Sequence, residues 1–155
     1  MDIQIIEKKE MKVIGIPWNG TYSQVGSISR LFDEFAERAE EIIDQSNEPV
    51  FIAPFHCRET EFTYYITKPV KQITYVPDGM VGFTIPAKNY IYATHSGSTS
   101  EVENTYLKIL SWMREYGYEQ DHQALSLEIY DEDFKTDSSP DSHLFLEIYI
   151  PVKKY

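Results

Sequence analysis

The chain has 155 residues with 25 acidic against 14 basic side chains, a formal net charge of −11 and a single cysteine. That balance argues against a face built to neutralise nucleic-acid phosphates, and lone Cys57 excludes an intramolecular disulfide. No apolar run approaches the ~18 residues of a membrane span, and the start Met1-Asp2-Ile3-Gln4 lacks the charged and apolar regions of a signal peptide. The expectation is a cytoplasmic protein whose residues 1–155 form one domain, without a direct nucleic-acid or membrane partner.

In chain order, Lys12–Trp18 reads as a strand closed by an Asn19-Gly20 turn. Ser23 offers a helix N-cap, followed by Val25, Ile28, Leu31, Phe32, Phe35 and Ala39 at helical spacing. Two extended stretches follow, Val50–Arg58 and Glu61–Thr67, and Pro77-Asp78-Gly79 is the strongest turn signal in mid-chain. Asn89–His95 is a second strand. Ser100 with Glu103 suggests a capping box for a second helix. Its apolar stripe is Val102, Tyr106, Ile109, Leu110 and Met113, and Gly117 suits its C′ position. Two strands, Leu125–Asp131 and Leu144–Pro151, flank a polar loop over Lys135–Ser142.

Sliding the sequence by 77 positions places Gly20 on Gly97, Ser23 on Ser100, Val25 on Val102, Phe32 on Ile109 and Phe35 on Trp112. Two copies are too few for a solenoid. They predict an α+β fold of duplicated strand–helix–strand–strand units, 1–77 and 78–155. These would form a pseudo-two-fold antiparallel sheet with a central ligand groove.

The last two strands carry the chemistry. Alternation puts Leu144, Leu146, Ile148 and Ile150 on one face of the final strand, with Phe145, Glu147 and Tyr149 on the other. The preceding strand splits likewise, Leu125, Leu127 and Ile129 against Ser126, Glu128 and Tyr130. A solvated Glu/Tyr face explains one such strand. Two in a duplicated, aromatic-rich chain point to a lined cleft, with the aliphatic faces under the helices and both glutamates opposite them. Carboxylates among aromatic rings suit cation capture, with cation–π contact of about 0.5 to 2 kcal/mol per ring. Aligning Pro69 with Pro151 makes Tyr65 the counterpart of Glu147. Trp18 is either a core lid or a stacking platform at the cleft mouth.

The segments Tyr90–Ser98, Tyr106–Trp112 with Tyr116-Gly-Tyr118, Leu127–Tyr130 and Leu146–Val152 resemble the GyrI-like small-molecule-binding domains. These are also known as AraC-type or bacterial transcription-activator effector-binding domains. The resemblance implies a duplicated strand–helix–strand–strand fold and a groove whose acidic residue, among aromatics, binds lipophilic cations. Glu128, Tyr130, Glu147 and Tyr149 match its Glu-x-Tyr phrases. Many relatives carry a helix-turn-helix domain ahead of this one; here the resemblance begins within the first ten residues, so the expectation is a stand-alone member.

The leading expectation is therefore a binding or sensing protein for small aromatic, often cationic, molecules. Glu147, Glu128, Tyr130, Tyr149, Tyr65, Trp18 and Phe145 are its candidate ligand-binding residues. One alternative is a hydrolase of strained electrophiles with Glu128 or Glu147 as general base. Another is a gyrase-inhibitor-like protein-interaction module. No cofactor is expected, and His56, His95, His122 and His143 lack metal-ligand spacing. Cys57 beside His56 points to the opposite face of a strand, so a thiol–base pair is not expected.

Overall fold

The computed structural model describes residues 2–134 and 142–153. Its first repeat holds β1 (Gln4–Lys8), β2 (Met11–Thr21), α1 (Ile28–Arg38), β3 (Val50–Cys57) and β4 (Glu61–Val70). The second holds β5 (Val81–Ile85), β6 (Lys88–Ser98), α2 (Val102–Tyr116), β7 (Ser126–Asp131) and β8 (His143–Pro151). The eight described strands form one antiparallel sheet in the order β1-β6-β8-β7-β3-β4-β2-β5.

That order is its own mirror about the β7–β3 junction once the repeats are exchanged. The registers agree: Pro17 pairs with Tyr65 on one side and Thr94 with Glu147 on the other. The 77-residue shift carries β1 onto β5 and β2 onto β6 residue for residue. Each repeat lends its short first strand to the other half, since β1 pairs with β6 and β5 with β2.

The connections bend the sheet. Only Lys9 and Glu10 join β1, on one edge, to β2, beside the opposite edge. Three peptide steps reach about 11 Å at most, whereas six strand spacings in a flat sheet are about 29 Å. The sheet must curl, bringing its edges together.

Both helices lie on the outer face of this curl. Leu31, Phe32 and Phe35 of α1 and Ile109 and Met113 of α2 share one apolar cluster with Ile14, Ile66, Ile91, Leu146 and Ile148. No described helix covers the inner face, yet Val13, Ile52, Tyr90, Leu127 and Tyr149 on it are buried. The sheet itself encloses them.

Local expectations met three corrections. Asn19 and Gly20 are not a turn: β2 continues to Thr21 because β4 pairs with it down to Glu61. The cap is Thr21 rather than Ser23; its backbone N–H donates to Gln24 Oε1 and opens a 3-10 turn over Tyr22–Ser27 ahead of α1. Ser100 and Glu103 form no capping box, and a short 3-10 turn over Thr99–Glu101 precedes α2. The Pro77-Asp78-Gly79 turn is present, closed by Met80 N–H on Pro77 O, with Gly79 at φ 79°. Gly117 ends α2 at φ 77° in the left-handed region. The loop expected over Lys135–Ser142 lies, apart from Ser142, outside the described residues.

Candidate functional site: a carboxylate held by three phenols

Glu128 stands on β7, one of the two central strands, and is only 9% exposed. Tyr64 and Tyr130 donate their hydroxyls to its Oε1 at 2.9 and 2.8 Å, and Tyr106 donates to Oε2 at 2.5 Å. Each phenol comes from a different element: β4, β7 and α2. Burial, followed by the adjacent Glu128 charge, pushes all three phenols well above the ordinary tyrosine range. They therefore stay protonated and keep donating.

No described basic side chain is paired with this carboxylate. Lys68, on the Tyr64 face of β4, is spent on Glu132 at 2.8 Å.

Beside Glu128 opens a cavity of about 590 Å³. Ile28, Ser29 and Phe32 of α1 form one wall, Tyr64 and Tyr130 the floor, and Phe134, His143 and Leu144 the far side. Phe32 meets Tyr130 edge-on at 5.0 Å and Phe134 at 5.1 Å, giving an aromatic wall next to the charge. A volume of this size suits a drug-sized ligand.

The two glutamates do not share this groove. β7 and β8 pair with Leu127 opposite Tyr149 and Glu128 opposite Ile148. The register places Glu128 on the helix face and Glu147 inside the curl, so helices cover Glu128, contrary to expectation. There Tyr92 and Tyr149 donate to Glu147 at 3.0 and 3.2 Å, and Lys8 Nζ sits 4.6 Å above the Tyr149 ring. Tyr149 is pushed upward by burial and then by Glu147.

The remaining candidates are dispersed. Tyr65 is the pseudo-symmetric counterpart of Glu147 as expected, but it packs edge-on to Phe83 at 5.0 Å. Two strands, β3 and β7, separate it from Glu147 in the sheet order. Phe145 is 53% exposed. Trp18 donates its indole N–H to Ser27 Oγ at 2.9 Å and packs on Phe62, beside a shallow separate depression. Of the expected residues, only Glu128 and Tyr130 line the large cavity.

Tyr64, Tyr106, Phe32 and Phe134 were not among the expected site residues. Tyr106 reads as one more apolar residue in a helical stripe. A tyrosine where leucine would serve was the available signal, because a buried hydroxyl needs a partner.

Among the described residues no cluster of His, Cys, Asp and Glu could hold a metal ion. His95 is buried and engaged, Nδ1 with Thr105 Oγ1 at 2.7 Å and Nε2 with Ser98 O at 3.0 Å. No described helix is long and apolar enough to cross a membrane.

The chain is similar over 98% of its length to the transcriptional regulator BrlR of Pseudomonas aeruginosa, with 28% identity over 156 residues. It spans 56% of that regulator. Among solved structures, EcmrR in its DNA complex superposes with a TM-score of 0.78 at 17% identity, over 99% of this chain and 58% of that one. SAV2435 bound to tetraphenylphosphonium gives 0.71 at 15% identity, over 99% and 94%. Identities this low bear on the fold alone. A model of the GyrI-like small molecule binding domain matches residues 1–153, and the chain belongs to that family.

Proposed function

We propose that this chain binds lipophilic aromatic cations in the cavity beside Glu128, holding them reversibly between the carboxylate and the rings of Phe32, Tyr64, Tyr130 and Phe134. The observation that carries this reading is a buried carboxylate supplied with hydroxyl donors but with no described cationic partner. A buried charge without a counter-ion is costly. A ligand cation entering the cavity supplies the counter-charge, and aromatic faces add cation–π attraction. The tetraphenylphosphonium held by SAV2435 is a ligand of this chemistry in a protein of like fold.

Reversible capture is favoured over proton abstraction by the occupancy of the carboxylate. Three of its about four lone-pair sites already accept phenol protons, whereas a general base needs a free one facing substrate.

The test is a titration with tetraphenylphosphonium and tetraphenylborate, which share a shape and differ in charge. The cation should bind saturably and the anion at least about tenfold more weakly, and Glu128→Gln should remove that preference. Equal affinity for both ions would overturn the reading.

A further inference from the structure

A second cavity, of about 220 Å³, lies on the other side of Tyr106. Its walls are Phe55, Tyr106, Leu110 and Ile150, and its mouth carries His56, Cys57 and His122. The two cavities share no described lining residue; Tyr106 links them, its ring lining this one while its hydroxyl reaches Glu128.

The repeat explains its character. The sheet registers make Phe55 the counterpart of Tyr130, Leu146 of Tyr64, and Ala53 of Glu128. Glu128 and two of its three phenols thus have apolar counterparts in the other repeat. Two further polar residues line the cavity: Gln120, and Ser126 at the start of β7, which is 5% exposed. No buried side-chain polar atom of the described residues lacks a partner, and no described group holds the Ser126 hydroxyl, so it is reached from the cavity, where a polar group of a ligand can take the place of water. His56 cannot fill that role, since its Nε2 is held by His122 O at 2.6 Å.

We propose that this cavity is a second ligand subsite, for small neutral aromatic molecules bearing one hydrogen-bonding group of the indole or phenol kind. The group meets Ser126 Oγ, and the ring lies between Phe55, Leu110 and Ile150. The site is independent of the cation site in ligand chemistry, and it stands or falls separately from it.

Cys57 at the mouth is the chain's only cysteine and is accessible, so its alkylation reports occupancy directly. Burial pushes its thiol upward, so labelling belongs at mildly alkaline pH. With indole as the probe, Cys57 labelling by iodoacetamide should slow saturably. Ser126→Ala should weaken that protection about fivefold. Leu110→Trp, which fills the cavity from a partly exposed helix position, should abolish it while tetraphenylphosphonium titrates as before. Should that variant not fold, Ala124→Leu fills the opposite wall. Glu128→Gln should leave indole protection unchanged. Protection that is linear in indole, that survives cavity filling, or that disappears with Glu128→Gln would overturn the proposal.

Discussion

Ala53 and Glu128 face each other across the two central strands and occupy equivalent positions in the two repeats. The pseudo-two-fold axis therefore passes between them. A symmetric scaffold presents a methyl group on one side of its axis and a carboxylate on the other. The three phenols are equally unsymmetric, for the counterparts of Tyr64, Tyr130 and Tyr106 are Leu146, Phe55 and Ser29. Serine where the other helix has tyrosine leaves room for the large cavity beside α1. Two-fold duplication made the groove, and its divergence placed one charge at the centre.

The phenols should not contribute equally to stability. Tyr64 and Tyr130 share Oε1, whereas Tyr106 is the described donor to Oε2. Tyr106→Phe should cost about 1.5–3 kcal/mol in urea unfolding, and Tyr64→Phe or Tyr130→Phe alone less, since the other still serves the same oxygen. Equal losses for all three would show that the two oxygens are not separately served.

Glu147→Gln should leave tetraphenylphosphonium affinity within about twofold, because its carboxylate lies inside the curl on the opposite face from the cavity. Glu128→Gln under the same conditions should reduce it at least about tenfold. Comparable losses in the two variants, measured by calorimetric titration, would return Glu147 to the binding site.

Alkaline stability follows from the buried phenols. Tyr90 is pushed up to about 12 by burial, and Tyr64, Tyr106, Tyr130 and Tyr149 are raised as well. A raised folded-state value means the folded protein holds the proton longer than the unfolded chain, whose tyrosines titrate near about 10. Their contribution is thus complete below about pH 10 and is lost as pH rises through the folded values. Phenolate absorbance should rise in two stages, exposed tyrosines first and the buried set only with loss of near-ultraviolet dichroism. A single smooth titration of all twelve tyrosines in the folded state would contradict this.

Two glycines should behave oppositely. A Cβ on Gly15 would fall 1.8 Å from the Ile66 carbonyl oxygen, a backbone atom that cannot yield. Gly26, in the turn before α1, has no described atom within 4 Å of its Cβ position. Gly15→Ala should lose at least ~2 kcal/mol or fail to fold. Gly26→Ala should be neutral or gain up to about 1 kcal/mol through the unfolded chain. Thermal denaturation distinguishes them, and a tolerant Gly15→Ala would mean that β2 and β4 can separate.

Much of the architecture was legible because it is local. Alternation fixed β3, β4, β7 and β8 to within a few residues, and Gly117 and Pro77-Asp78-Gly79 ended their elements as their backbone freedom requires. The Asn19-Gly20 turn misread because a turn signal is a local preference, and ten residues of pairing with β4 outweigh it. Tyr64 and Tyr106 escaped notice because their meaning lies in one distant oxygen.

By itself the sequence determined the repeat, the elements and the two-sided character of each strand, since all three follow from periodicity along the chain. Which side of β7 meets the helices was left to the tertiary structure. The premise that an aliphatic face lies under helices holds for a sheet with one wet side. Here the curl buries both faces, so Leu127 and Ile129 could turn inward and Glu128 outward to the helices at no loss of apolar burial. A shift of one residue between β7 and β8 exchanges those faces. Only long-range pairing decides it, and with it which of two like-looking glutamates stands at the axis.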